Sequence, residues 1–172
     1  MCGIAGIIHR GKPGGIGEEM TSMLKSLKHR GPDSTGFAMY GMPSQNQMVM
    51  RFKVAEQDDL NSGFEIHQQI IDRKSLVDSR LKELGATIMN QETVTEYAFR
   101  YTLIHSGDMR RLADFIEDIE GAEILSLGTA LELVKDLGDA TVVSGQYDLN
   151  GFIGSHAIGH TRMATESDVD IR

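Results

Sequence analysis

The chain has 172 residues and a formal net charge of −8, with 40% hydrophobic and 24% charged residues. These values are ordinary for a globular protein of about one domain, and they exclude collagen-like and largely disordered chains. The single cysteine excludes an intrachain disulfide and fits a reducing compartment. Acidic residues dominate after residue 53 (22 against ten basic residues). Because phosphate binding needs clustered cations, we expect no nucleic-acid partner.

The amino terminus shows no targeting segment. Its apolar run spans residues 3–8 and precedes the basic residues, which is the reverse of a secretory signal. No stretch approaches the roughly 18 apolar residues of a membrane span. We therefore expect a cytoplasmic protein without a membrane partner.

The first 54 residues predict a β-α-β-β order. The apolar run 3–8 predicts a buried strand, and the apolar spacing over 17–29 predicts an amphipathic helix. Alternating residues at 35–41 and 47–54, separated by Pro-Ser-Gln-Asn, predict two strands that form a hairpin beside the first strand.

Residues 55–148 predict a small α+β unit of their own, and residues 152–164 predict a strand that returns to the core. The predicted elements of this unit are a polar helix within 55–85, strands at 86–90 and 95–105, a helix capped by Ser106, a strand at 122–127, a helix at 129–137 and a strand at 140–144.

Cys2 combines two groups that nucleophilic catalysis requires. Removal of the initiator methionine before a small residue would make Cys2 the first residue of the chain. Its α-amine titrates near neutral pH and could then activate its own thiol as a base. The alternative is a small terminal residue that only packs beside the first strand.

Two further segments carry candidate site residues. HRGPDSTG at 29–36 is a compact loop with one arginine, one aspartate and three structure breakers. GHTRMAT at 159–165 carries an arginine and a threonine at the end of a predicted strand. The planar guanidinium of arginine fits a carboxylate.

In this order, MCGIAGI, HRGPDSTGF and GHTRMAT resemble the class II glutamine amidotransferases, which are N-terminal nucleophile hydrolases. The resemblance covers residues 2–54 and 152–168. The long segment between the second and third motifs is most similar to that of the glutamate synthase group, which includes the amidotransferase-like subunits of N-methylglutamate synthase.

The resemblance implies an α+β fold, the four-layer αββα sandwich, with residues 55–148 inserted into an amidotransferase domain that spans 1–172 and is incomplete at its carboxyl end. Cys2 would attack the side-chain amide of glutamine, while Arg162 and Thr165 would bind the substrate. The residues expected to support the pocket are Gly3, Arg30, Gly31 and Asp33, and a purely structural role for Asp33 stays open.

The implied partners are glutamine and a synthase subunit that receives the ammonia, so we expect a hetero-oligomer. No cofactor or metal is implied. His156 and His160 stand four residues apart in a predicted strand, but no carboxylate or cysteine lies near them in sequence.

The family pattern continues after the arginine motif with an Asn-Gly pair that forms the oxyanion hole and an aspartate that binds the amino group of glutamine. This sequence ends at Arg172 without them, and Asn150-Gly151, which precedes the motif, predicts a turn. Three explanations stay open: a fragment, a separate subunit that completes the site, and a noncatalytic partner domain. A retained Met1 would favour the last, an amidotransferase-like subunit that assembles a synthase.

Overall fold

A computed structural model describes residues 2–31, 33–61, 63 and 65–163 of the chain. It confirms the α+β class. The described elements are β1 (Gly3–Ile8), α1 (Ile16–Ser26), β2 (Ser34–Tyr40), β3 (Met48–Lys53), α2 (Glu65–Glu83), β4 (Thr87–Thr93), β5 (Ala98–Ile104), α3 (Met109–Glu117), β6 (Glu123–Gly128), β7 (Leu131–Leu137), α4 (Ala140–Gln146) and β8 (His156–Arg162), with short 3₁₀ turns at Lys28–Arg30 and Asp58–Asn61. Within these residues no helix is both long and apolar enough to cross a membrane.

The chain forms two compact units, one made of residues 1–43 and 130–172 and the other of residues 44–129. The first unit contains a four-stranded antiparallel sheet in the order β1-β8-β2-β7. Helices α1 and α4 contact each other and pack on this sheet. The first and last parts of the chain therefore fold together.

Helix α1 packs on the sheet through an apolar stripe that the sequence predicts. Ile16, Met20 and Leu24 recur at helical spacing and are fully buried. Gly159 of β8 makes room for them, because a Cβ there would lie 2.5 Å from Leu24 Cδ1 and 2.7 Å from Met20 Sδ. Burial of each such side chain contributes roughly 1.5–3 kcal/mol. A larger residue at Gly159 would require the side chains of Met20 and Leu24 to shift.

The second unit has the order β3-α2-β4-β5-α3-β6, and its antiparallel sheet has the strand order β4-β5-β3-β6. A βαββαβ chain with this strand order is the ferredoxin-like arrangement. Its core contains the stacked rings of Phe52 and Phe99 and the edge-on ring of Tyr101. The Tyr101 hydroxyl donates to Asp78 of α2 at 2.7 Å, which anchors the helix to the sheet.

The predicted hairpin of the second and third strands is wrong. β2 pairs on one side with β8 and on the other with β7, so neither of its edges is free for β3. β3 pairs instead with β5 and β6 in the second sheet. Long-range pairing has displaced the local one that the Pro-Ser-Gln-Asn turn suggested.

Two elements near residue 140 were predicted with their types exchanged. Residues 131–137 form β7 rather than a helix, because Glu132, Val134 and Asp136 alternate into the buried face and the strand pairs with β2. Residues 140–146 form α4 rather than a strand. The Asp139 carboxylate caps this helix by accepting from two backbone N–H groups of its first turn.

Two smaller details also differ from the predictions. Asp108, rather than Ser106, caps α3. The predicted insert 55–148 omits β3, which belongs to the second sheet, and includes β7 and α4, which belong to the first unit. The proposal that the second unit is an insertion in an amidotransferase domain stays a prediction.

Candidate active site

The first sheet brings the start of the chain and the arginine motif into one row. Gly3 pairs with Thr161 in the β1–β8 ladder, and one further step in that register sets Cys2 opposite Arg162. Arg162 in turn pairs with Ser34 of β2. Because side chains alternate along a strand, the side chains of Arg162 and Ser34 belong to one face of the sheet. Cys2 immediately precedes β1, and the same alternation, extended by one residue, assigns its side chain to that face.

This face is opposite to the one that α1 covers. Gly3 and Gly159 lie on the face opposite to Arg162 and Ser34. Gly3 faces Leu27, just after α1, and Gly159 faces Met20 and Leu24 of α1. On the other face Ile4 and Ile158 are 73% and 55% exposed. The cysteine thiol is free and Cys2 is exposed. Cys2 is therefore accessible beside exposed isoleucines of this face, whereas Ser34 at the other end of the row is buried.

Gly31 lies directly against the backbone of Arg162. A Cβ at Gly31 would stand 2.5 Å from the carbonyl carbon, 2.7 Å from the nitrogen and 2.8 Å from the oxygen of Arg162. The φ of Gly31 is 179°, which is extended backbone that any residue adopts. The demand for glycine here is therefore steric, and the second sequence motif contacts the third through it.

Gly3 has a similar steric role at the start of β1. A Cβ there would lie 2.9 Å from Thr161 Oγ1 and 3.2 Å from Leu27 Cβ. These contacts hold the residue after Cys2 close to both β8 and the segment that follows α1. Only glycine fits without displacement of one of these neighbours.

Asp33 positions the motif through its backbone. Its N–H donates to the carbonyl oxygen of Arg162 at 3.2 Å, and its carbonyl accepts from the N–H of Gly138 at 2.9 Å. Arg30 closes the 3₁₀ turn by donating its N–H to the Leu27 carbonyl, and its side chain is exposed. These contacts are made by the backbone of Asp33, and both the structural and the direct role considered for this residue stay predictions.

An ion pair fixes the start of this turn to the second helix of the unit. Lys28 Nζ lies 2.7 Å from Asp139 Oδ2. The hydrogen bond from Lys28 is the main cause that lowers the pKa of Asp139, and the backbone N–H groups of α4 act in the same direction. The turn that carries Gly31 is therefore tied both to β8 and to the amino end of α4.

A groove of about 300 Å³ continues from Arg162 along the same face. The small residues Gly36 and Ala38 of β2 line this groove between the larger Ile158 and Leu133. Lys135 and His160 also line it. The wall is mostly apolar. An α-amino acid needs charged partners, so this groove suits the packing of apolar side chains better than it suits such a substrate.

Two residues of this region, Ser34 and Thr161, are not predicted as site residues from the sequence. Ser34 shares the row of Cys2, and Thr161 lies behind it on the opposite face. The strand register, which needs the paired structure, is the signal that finds them. Thr165 and Met1 lie outside the described residues.

Asn150 and Gly151 form a turn, as predicted. The Asn150 side-chain oxygen accepts from Ser144 of α4, which also bonds Thr21 of α1. The amide therefore belongs to a polar contact between two helices. His156 stacks on Tyr40 with a centroid distance of 4.0 Å.

Nearly the whole chain is similar to two curated proteins. One, from Methanothermobacter thermautotrophicus, is provisionally named a glutamine amidotransferase; it is 34% identical over an alignment of 173 positions that covers 99% of this chain and 54% of that protein. The other, glutamine amidotransferase-like protein GlxB of Rhizobium meliloti, is 31% identical over an alignment of 173 positions that covers 98% of this chain and 52% of that protein. No protein-family model matches the sequence.

The chain thus spans about half the length of the curated relatives it matches. Similarity over 98–99% of the chain to proteins with these names supports a glutamine amidotransferase family. The similarity includes the two halves of the first unit and the whole second unit.

Proposed function

We propose that this chain is the front part of a class II glutamine amidotransferase with Cys2 as its N-terminal nucleophile. The observation that carries the proposal is the register of β1, β8 and β2, which, extended by one residue to the exposed Cys2, assigns Cys2 to the sheet face of Arg162 and Ser34. A nucleophile and a carboxylate-binding cation in adjacent strands are what a glutaminase needs. The names of the two relatives support the same substrate.

The proposed reaction proceeds in two steps. The Cys2 sulfur adds to the side-chain amide carbon of glutamine, the carbon–nitrogen bond breaks, and ammonia leaves. The α-amine of Cys2 takes the thiol proton and passes it to the leaving nitrogen. Water then hydrolyses the glutamyl thioester to glutamate and restores the thiol.

Arg162 is proposed to bind the α-carboxylate of glutamine, with Thr165 beside it. Gly31 and Asp33 support this role because both contact the backbone of Arg162. Arg30 is proposed to complete the wall of the pocket, and Gly3 to keep the nucleophile close to β8.

The apolar face beside the row supports the proposed sandwich. Ile4, Ile8 and Ile158 are each more than half exposed there, and the groove beside Arg162 is mostly apolar. A second sheet packed on this face would cover them, as in a four-layer αββα fold. The oxyanion donors are proposed to come from an Asn-Gly pair in a segment that follows the arginine motif.

We propose that the ammonia passes to a synthase subunit of the glutamate synthase or N-methylglutamate synthase type, within a hetero-oligomer in the cytoplasm. The support is the resemblance of the three motifs and of the long middle segment. The second unit, with its own compact core, is the candidate region for contacts with that partner.

The test is glutamine hydrolysis by the native protein, with intact mass used to establish that Met1 has been removed. Cys2→Ala should abolish ammonia release, and Arg162→Lys should mainly raise KM for glutamine. Arg10→Lys, in the exposed loop beyond the far end of β1, is a matched control that should behave like wild type.

Glutaminase activity that survives Cys2→Ala would refute the nucleophile. A protein that retains Met1, has no glutaminase activity and still assembles with a synthase would instead favour the noncatalytic subunit. Both outcomes are read from the same purified samples.

A further inference from the structure

Thr161 carries a buried hydroxyl that has no hydrogen-bond partner among the described residues. The residue is 1% exposed. A buried polar group without a partner costs about 1–3 kcal/mol, so such groups are rare in native proteins. Valine has nearly the same shape and would remove this cost. Packing alone therefore does not explain a threonine at this position.

The threonine that lies beside Thr161 on the neighbouring strand does have a hydrogen-bond partner. Thr35 of β2 pairs with Thr161 in the ladder and is equally buried. Its hydroxyl donates to the carbonyl oxygen of Gly138 at 2.8 Å. Both threonines lie in paired strands and are equally buried, but of the two only Thr161 lacks a hydrogen-bond partner within the described residues.

The unpartnered hydroxyl faces the start of β1. It is the nearest atom to a Cβ built on Gly3, at 2.9 Å. Gly3 is the residue that follows Cys2, so the hydroxyl lies beside the peptide that ends in the proposed nucleophile. In the sequence with Met1 attached, the nitrogen of Cys2 is a peptide amide with one N–H. Removal of Met1 converts it into an amine with new donors.

We propose that Thr161 is a positioning residue whose hydroxyl accepts a hydrogen bond from the α-amino group of processed Cys2, directly or through one water. The inference rests on the proposed function. A hydrogen bond donated by the α-amine to the Thr161 hydroxyl would fix the rotation of the amine about its bond to the Cys2 Cα. The amine lone pair could then point at the Cys2 sulfur, as a base must.

The experiment compares wild type, Thr161→Val and Thr161→Ser in the native protein, before and after treatment with methionine aminopeptidase. Alkylation of Cys2 by iodoacetamide is followed by mass spectrometry, and glutamine hydrolysis is measured on the processed samples. In the processed protein, Thr161→Val should slow Cys2 alkylation and lower kcat about tenfold, the equivalent of one hydrogen bond, with little change in KM. Thr161→Ser should restore both rates, and the three unprocessed proteins should alkylate at one rate.

The unfolding temperature separates positioning from packing. Before processing, Thr161→Val should unfold no earlier than wild type, since the Thr161 hydroxyl has no hydrogen-bond partner within the described residues. Equal alkylation of wild type and Thr161→Val after processing would overturn the inference and leave Cys2 as the nucleophile. Slower alkylation of Thr161→Val that is already present before processing, or earlier unfolding of that unprocessed variant, would also overturn it. Glutamine hydrolysis that survives Cys2→Ala would refute the proposed function itself.

Discussion

Gly31 lies so close to the backbone of Arg162 that the nearest Arg162 atom is 2.5 Å from the place a Cβ would occupy. Asp33, two residues later, donates its N–H to the Arg162 carbonyl. The segment after α1 therefore holds the end of β8 by steric fit and by a backbone hydrogen bond. This contact joins two motifs that lie 130 positions apart in the sequence.

Gly31→Ala should displace the end of β8. The added methyl group meets backbone atoms rather than the end of a flexible side chain, so strand or turn must move. We expect a loss of about 1–3 kcal/mol in the free energy of unfolding, and a raised KM for glutamine in the native protein. Gly6→Ala is the matched control, because its Cβ would meet only the Ala157 carbonyl at 3.7 Å. Equal stability of the two variants would contradict the proposed fit.

Thr35→Val and Thr161→Val should differ in stability although both remove a buried hydroxyl. Thr35→Val leaves the Gly138 carbonyl without its 2.8 Å bond, so we expect a loss of about 1 kcal/mol. With Met1 attached, Thr161→Val should be at least as stable as wild type. Urea unfolding of both variants measures the difference, and the reverse order would show that the two hydroxyls have been assigned incorrectly.

Asp139 should make stability depend on pH in the acid range. Its pKa is lowered in the folded protein, chiefly by Lys28. The stability it contributes is therefore present above about pH 4, the ordinary value, and is lost as the pH falls through the lowered value.

Asp139→Asn retains a capping oxygen but has no charge. The free energy of unfolding of wild type should exceed that of Asp139→Asn by at most about 1 kcal/mol at pH 7, since Lys28 is largely exposed. This difference should shrink as the pH falls below about 4, the ordinary pKa of the group. Lys28→Met should show the same trend. A gap that is constant with pH would argue against the ion pair as its cause.

Tyr101→Phe should weaken the second unit. Burial and the hydrogen bond to Asp78 raise the pKa of Tyr101, so the neutral form is the one that stabilises the fold. We expect a loss of about 1–1.5 kcal/mol at pH 7. Above roughly pH 10, the ordinary value, wild type should lose this advantage as the pH rises, because ionisation is favoured in the unfolded chain. Alkaline unfolding that is identical in the two proteins would contradict this account.

The motif chemistry and several elements were predictable from the sequence. The apolar run of β1, the helical spacing of Ile16, Met20 and Leu24, and the alternation in β5 each have a clear period. Local pattern determines such elements because one face of each is buried and the other is not. Cys2, Gly31, Asp33 and Arg162 were named from their motifs alone.

The exchanged elements show where local pattern fails. Leu131–Leu137 contains leucines that suit a helix, yet β2 offers a free edge and the segment pairs there. Thr141, Val142 and Val143 favour a strand by propensity, but the Asp139 cap and burial of Val143 stabilise α4. Tertiary partners decide such short segments, since propensity differences are only a few tenths of a kcal/mol per residue.

The sequence by itself determined which chemical groups this protein possesses: a cysteine beside its terminus, an arginine that fits a carboxylate, and glycines at defined places in three motifs. Only the tertiary structure decided that Cys2, Arg162 and Ser34 share one row and that Thr161 lies behind it. The physical reason is that strand register depends on hydrogen bonds between segments far apart in the chain. A shift of one residue would turn each of these side chains to the opposite face.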